Sequence, residues 1–183
     1  YNLGEDVSVY GGAGVDYIEN DGISAYLSLD DGNDLMENSA ESVSANGGKG
    51  EDEFVNFGDE STLNGGDDND SFFNYGDTVS TAGGNGNDYI YSCGEQASLS
   101  GGAGNDTIWN EGVNVYISGG AGNDTIVNEG DHITISGGAG NDELYNDGGK
   151  HITYNFGKSD GKDTVVGFNA NDTIKITSGT HSA

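Results

Sequence analysis

Apolar residues recur along this chain with one fixed step. Ile18, Met36, Phe54, Phe72, Ile90, Ile108, Ile126 and Leu144 stand eighteen residues apart each time. A second column keeps the same step through Leu27, Ala45, Leu63, Thr81, Leu99, Ile117, Ile135 and Thr153, and a third is mostly small or apolar, as at Val43, Val79, Val115 and Ile133. With each unit numbered 1 to 18 from Gly11, these are positions 8, 17 and 15. Over positions 7–9 and 15–17, inward and outward residues alternate, as they do along short strands. A unit this small has no core of its own, and eight in-phase copies predict a solenoid in which each unit is one stacked coil. The expected fold is all-β: a right-handed parallel β-solenoid with two short strands per 18-residue coil, about eight to nine coils and a C-terminal cap. Coils would stack about 4.8 Å apart with the right-handed crossover usual between parallel strands.

The turns carry the candidate chemistry. Gly-Gly-Ala-Gly-Asn-Asp occurs three times, from Gly101, Gly119 and Gly137, and related hexads begin at Gly11, Leu29, Gly47, Gly65 and Gly83. Position 6 is always aspartate: Asp16, Asp34, Asp52, Asp70, Asp88, Asp106, Asp124 and Asp142. Stacking brings these carboxylates within about 5 Å of one another, a repulsion on the order of 3 kcal/mol per pair at an effective dielectric near 20. A cation between coils removes that conflict. Glycines at positions 1, 2 and 4 let backbone carbonyls turn toward it. The glycines at positions 2 and 4 are Gly12, Gly14, Gly32, Gly48, Gly50, Gly66, Gly84, Gly86, Gly102, Gly104, Gly120, Gly122, Gly138 and Gly140. An adaptable cage of carboxylate and carbonyl oxygens favours Ca²⁺ over Mg²⁺, and Zn²⁺ would want His or Cys in register. Position 10 is Asn in seven of the eight copies, Asn20 to Asn146 with Ser92 between, and is expected to hydrogen-bond along the stack.

Composition narrows the partners. Thirty-two Asp and Glu face five Lys, for a net charge of −27. That argues against nucleic acid, whose phosphates need Lys and Arg, and against an anionic bilayer, while drawing in cations. With no apolar run near the roughly 18 residues of a membrane span, no membrane insertion is expected. Such a charge often means disorder, and the phase of the apolar columns opposes that here. Thirty-four Gly without Pro excludes collagen. The lone Cys93 leaves no internal disulfide. The start at Tyr1, in mid-coil, suggests a piece of a longer parent with upstream domains.

The unit Gly-Gly-x-Gly-x-Asp-x-apolar-x resembles the nonapeptide of the repeat-in-toxin, or hemolysin-type, calcium-binding family, over essentially the whole chain. The resemblance implies a parallel β-roll module of a secreted or cell-surface bacterial protein exported by type I secretion. Such a module is calcium-binding and structural, with no catalysis of its own, and folds on export when Ca²⁺ fills sites between adjacent coils. Its location would be extracellular or on the bacterial surface. In the family both halves of a coil carry the motif. Here the second half reads Asn110-Glu111-Gly112-Val113-Asn114-Val115, without the liganding aspartate. Calcium, roughly seven to eight ions, is therefore expected along one edge only, the other being closed by Asn and Gly turns. Leu29-Asp30, Lys49 and Asp68 depart from the motif and put their sites in doubt.

After Ile152 the period fails. Residues 1–154 are expected to form the roll and residues 155–183 a degenerate capping segment, with Asp160 or Asp163 open as the residue that completes the last site. Position 9 carries Phe73, Tyr91, Trp109, Val127 and Tyr145 on one outer face, either stacked on each other or holding a glycan or protein partner. The opposite face bears hydroxyls at positions 16 and 18, interrupted by Tyr26, Tyr116 and Ile152, either a solvated sheet surface or an ice-binding array. The alternative functions are thus an adhesin segment, binding glycan or ice, or the C-terminal module of a larger secreted enzyme or toxin. The Gly-rich turns lack the Lys-Ser/Thr and following helix of a phosphate loop. His132, His151 and His181 are isolated, with no nucleophile elbow, and read as solvated surface residues.

Overall fold

The computed structural model describes residues 1–177, so His181 lies outside the described residues. Among them there is no helix, only turns and short strands. The first ten strands are β1 (Ser8–Ala13), β2 (Tyr17–Asn20), β3 (Tyr26–Asp31), β4 (Leu35–Asn38), β5 (Ser44–Lys49), β6 (Glu53–Asn56), β7 (Thr62–Asp67), β8 (Ser71–Asn74), β9 (Ser80–Asn85) and β10 (Tyr89–Ser92). Then come β11 (Ser98–Ala103), β12 (Thr107–Asn110), β13 (Tyr116–Ala121), β14 (Thr125–Asn128), β15 (Thr134–Ala139), β16 (Glu143–Asn146), β17 (Thr153–Phe156), β18 (Thr164–Val166) and β19 (Thr173–Ile176). Odd-numbered strands form one ten-stranded sheet and even-numbered strands one nine-stranded sheet. All pairs are parallel and join residues eighteen apart from β1 to β16, as in Ile90 with Ile108 and Leu99 with Ile117. The chain is a parallel β-solenoid of about nine coils with two short strands in each.

The core is three apolar columns. Position 8 is buried throughout, position 15 contributes Val43, Val79, Val115 and Ile133, and position 17 contributes Leu27, Leu63, Leu99, Ile117 and Ile135. Phe54 and Phe72 stack in it at 4.6 Å between ring centres. The second strand is displaced from its expected place: it begins at position 16 and runs through the Gly-Gly pair to position 3 of the next hexad. Glycine pairs such as Gly84 with Gly102 thus sit in the sheet ladder and not wholly in the turn.

The expected Asn ladder is present. Asn20 Nδ2 donates to Asn38 Oδ1 at 2.7 Å and Asn38 Nδ2 to Asn56 Oδ1 at 2.7 Å, while the same amides bond the Gly22 and Ala40 carbonyls of their own turns. One feature of this second edge gave no glycine signal. Position 14 is left-handed in every coil, at Ser24, Ser42, Glu60, Thr78, Gln96, Asn114 and His132, with φ between 54° and 62°. Each N–H there reaches the carbonyl one place earlier in the next coil, as Thr78 N does to Glu95 O at 2.7 Å.

The period slips before Ile152, at the corner Asp147–Gly149. Asn146 Nδ2 reaches Gly149 O, three residues on, where its predecessors reach two. Thr134 therefore pairs with Thr153 and Ile135 with Tyr154. Two corrections follow from that one residue. Ile152 belongs to buried column 15 and does not interrupt the hydroxyl face, and column 17 continues in Tyr154, fully buried, in place of Thr153. Beyond Phe156 the strands do not leave the stack: β18 pairs with β16 at a step of twenty-one and β19 with β17 at a step of twenty. Val166, Phe168, Ile174 and Ile176 remain exposed at that end.

Candidate metal edge

The aspartate row lies inside the solenoid, not at its surface. From Asp34 to Asp142 each side chain is 1–3% exposed. Each Oδ1 accepts the backbone N–H of the aspartate one coil earlier: Asp70 N donates to Asp88 Oδ1 at 2.8 Å and Asp88 N to Asp106 Oδ1 at 2.8 Å, and so on along the stack. Outside this row, Asn side chains form a second ladder at position 5 that runs the opposite way, each accepting the N–H of the following coil, as Asn105 N donates to Asn87 Oδ1 at 2.7 Å. The edge is thus closed by two directional side-chain ladders.

What these ladders leave over is the second carboxylate oxygen. Oδ2 of Asp16, Asp34, Asp52, Asp70, Asp88, Asp106, Asp124 and Asp142 is buried without a hydrogen-bond partner among the described residues. All but Asp34 point at the glycine at position 1 of their own hexad. A Cβ on Gly101 would overlap Asp106 Oδ2 and stand 2.6 Å from the Gly119 carbonyl oxygen of the next coil. One carboxylate oxygen and one carbonyl oxygen from adjacent coils therefore converge on the space that the missing side chain leaves. The same convergence occurs at Gly11, Gly47, Gly65, Gly83 and Gly119. In the second coil position 1 is Leu29, whose Cβ takes that space, and at Gly137 the three nearest atoms all belong to the Asp142 side chain.

The three glycines of the motif thus serve different ends. Positions 2 and 4 are needed for backbone shape, with φ from 100° to 148° in the regular coils. Their carbonyls pack against the matching glycines of the next coil, Gly84 O on Gly102 and Gly86 O on Gly104. Position 1 has an ordinary φ and is needed for room. The sequence reading gave positions 1, 2 and 4 the same task of turning carbonyls toward an ion; the structure separates position 1, whose glycine is kept where no left-handed turn requires it. At the irregular sites Asp30 and Asp68 take the glycine conformation themselves, at φ 75° and 78°. Lys49 meets Asp31 at 3.5 Å on the outside of the edge.

Burial dominates the electrostatics. It pushes the Asp52, Asp106 and Asp124 carboxyls up to about 6 and Asp70 up to about 8; the backbone N–H from the preceding aspartate pulls them down, and the neighbouring carboxylates add a smaller upward push. Repulsion between neighbours, the main cost expected from the spacing, is therefore secondary to desolvation. At the C-terminal end Asp163 takes the next place in the row, its Oδ1 accepting Asp142 N–H at 3.1 Å. Asp160 does not: its backbone carbonyl accepts Gly140 N–H at 2.8 Å and its carboxylate turns back to Gly157 N–H.

No three His, Cys, Asp or Glu side chains gather as a metal site among the described residues. A cation on this edge would draw on one carboxylate oxygen per coil and on backbone carbonyls, a hard-oxygen set suited to Ca²⁺. The residues present fit such an ion, since the orphaned Oδ2 atoms are buried carboxyl oxygens without a hydrogen-bond donor and an ion beside them would favour their charged form.

The aromatic face is less regular than its sequence column. Tyr91 and Trp109 are register partners, yet the ring contacts lie elsewhere: Phe57 stacks at 5.0 Å on Tyr75, eighteen residues on in its own column, while Tyr75 tilts diagonally against Tyr91 at 6.0 Å and Phe73 against Tyr89 at 5.9 Å. Trp109, 37% exposed, pairs with no other ring among the described residues, and the Tyr145 hydroxyl donates to Glu143.

Comparison with known proteins bears on the regular coils. The family model described as RTX calcium-binding nonapeptide repeat matches in four copies, over residues 82–92, 98–112, 114–132 and 134–150. No curated protein and no solved structure matches the chain significantly.

Proposed function

With residues 82–150 carrying RTX calcium-binding nonapeptide repeats on a parallel β-solenoid, we propose that the whole chain is a calcium-dependent structural module that folds outside the cell. The observation that carries this reading is the row of eight buried, unpartnered Oδ2 atoms. Asp16, Asp52, Asp70, Asp88, Asp106 and Asp124, each facing a carbonyl of the following coil, would hold the ions, with Asp34, Asp142 and Asp163 as less complete positions. Calcium supplies there the positive charge that offsets a buried carboxylate. The chain's own part is to fix Oδ1 by a backbone bond, leave Oδ2 turned inward, and keep position 1 open. At ten times its dissociation constant each ion adds about 1.4 kcal/mol of stability, on the order of 10 kcal/mol over seven sites. In a cytosol poor in free calcium the row stays uncompensated and the chain unfolded and exportable. Export would deliver it to millimolar calcium, where it folds.

Nothing in this reading needs catalysis. Circular dichroism during calcium titration of the chelated chain tests it, with isothermal titration for the number of ions. A cooperative gain of β-structure with six to eight ions bound is expected, and equal β-structure in chelator at neutral pH overturns the proposal. A glycan role for Phe73, Tyr91, Trp109 and Tyr145 has weaker support, because Phe73 and Tyr91 already contact neighbouring rings.

A further inference from the structure

The outer face of the nine-stranded sheet carries a mid-stack strip that the metal edge leaves unused. One column, at position 11, reads Phe57, Tyr75, Cys93, Glu111 and Glu129 at the eighteen-residue step. Phe57 and Tyr75 stack with 10° between their ring planes, yet remain 56% and 43% exposed. Tyr91 touches Tyr75, and Trp109 follows Tyr91 in the neighbouring column. Carboxylates close the strip at both ends. Glu41 and Asp59 line one open cavity together with Phe57, and Asp77 N–H fixes Asp59 by donating to its Oδ1 at 2.8 Å. At the other end Glu111 and Glu129 are exposed. Burial first and then the Glu111 charge push the Tyr91 hydroxyl up to about 12, so that carboxylate stands near the ring. Residues 50–149 contain no Lys or Arg to neutralise the strip, and Lys49 lies on the metal edge with Asp31.

We propose that this strip docks an extended, arginine-bearing segment of a basic partner protein. A guanidinium stacks on aromatic faces and pairs two-pronged with carboxylates, which a lysine ammonium, a point charge, matches less well. From Phe57 to Glu129 the strip covers four coil steps, about 19 Å, the length of about six residues of extended chain. Rings along the middle and carboxylates at both ends fit a segment whose arginines alternate with small residues. Charge decides against the other occupants. A second copy brings a further net charge of −27, and nucleic acid or an anionic bilayer brings the same sign. A neutral glycan matches the rings and leaves the carboxylates without a partner.

The test needs only the folded chain, so its outcome is separate from that of the calcium titration. Trp109 is the single Trp, and its emission reports on the strip. Residues 1–183 in calcium are titrated with a short peptide alternating Arg and Ser, with circular dichroism confirming β-structure in each variant. The emission should change saturably. The matching Lys-Ser peptide should bind several-fold more weakly and cellohexaose should have no effect. Phe57→Ser with Tyr75→Ser leaves the net charge unchanged and should weaken the arginine peptide about tenfold; Phe57→Ser alone, the milder variant, should weaken it several-fold. Glu111→Gln with Glu129→Gln should weaken it several-fold more than Glu51→Gln with Asp67→Asn, which removes the same charge from exposed positions of the metal edge. Equal losses from the two charge pairs would mean attraction to bulk charge and overturn the proposal. So would binding untouched by the ring variants, a lysine peptide as tight as the arginine peptide, or a response to cellohexaose alone.

Discussion

At the scale of single residues, the two oxygens of each row aspartate do different work, and substitutions separate them. Asp106→Asn keeps an acceptor for Asp88 N–H and removes the buried charge. In chelator it should raise the residual β-structure at neutral pH, because the folded chain is relieved of a cost on the order of 2 kcal/mol, yet it should raise the calcium midpoint; circular dichroism in chelator and through a calcium titration reads both. Asp106→Ala instead leaves a buried N–H unmatched and should cost about 1–3 kcal/mol more than Asp106→Asn in urea melts at saturating calcium. The pH dependence has a fixed sign. Carboxyls raised by folding bind more protons in the native state, so their contribution is fully present below about 4 and is lost as pH rises through about 6 for Asp52, Asp106 and Asp124 and about 8 for Asp70. Without calcium, β-structure should therefore increase as the solution is acidified from pH 8 to pH 5. The row itself was legible in the sequence because Asp never varies at position 6. The inward aim of Oδ2 was not, because alternation alone does not say which way a turn residue faces.

At the scale of the turn and the strand, the solenoid's two edges obey different steric rules. On the metal edge a methyl at position 1 fills the cradle, so Gly101→Ala should destabilise by about 3 kcal/mol and lower the calcium count by one, as measured by melting and titration. Across the molecule, position 14 holds side chains in left-handed backbone, least comfortably the β-branched Thr78 at φ 59°. Thr78→Gly should raise stability by about 1 kcal/mol, an unusual sign for removing a side chain. Sequence patterning gave the pairing of columns 8 and 17 because apolar residues recur there at constant step. It misplaced the second strand by assigning Gly-Gly wholly to a turn. Those glycines join the ladder because their neighbours, one coil above and below, are glycines too. The missing glycine at position 14 hid that corner for the opposite reason: Ser, Glu, Thr, Gln, Asn and His occupy it with no common chemistry.

For the whole molecule, stacking without a large core makes every coil depend on its neighbours, so on the proposed function compensation of the buried row would decide folded against unfolded. The tail shows where reading by period stops: one extra residue at Asp147–Gly149 moved Ile152 and Tyr154 into the core, and a fixed count of eighteen could not follow. That corner also has a practical meaning. Gly148 has open space around it and the strands on both sides keep their partners, so length there is decoupled from rung geometry. Foreign loops grafted at this point would cost little more than the entropy of their closure, whereas the same graft beside Asp106 would split the aspartate row. The scaffold thus accepts cargo at one seam and refuses it at the other.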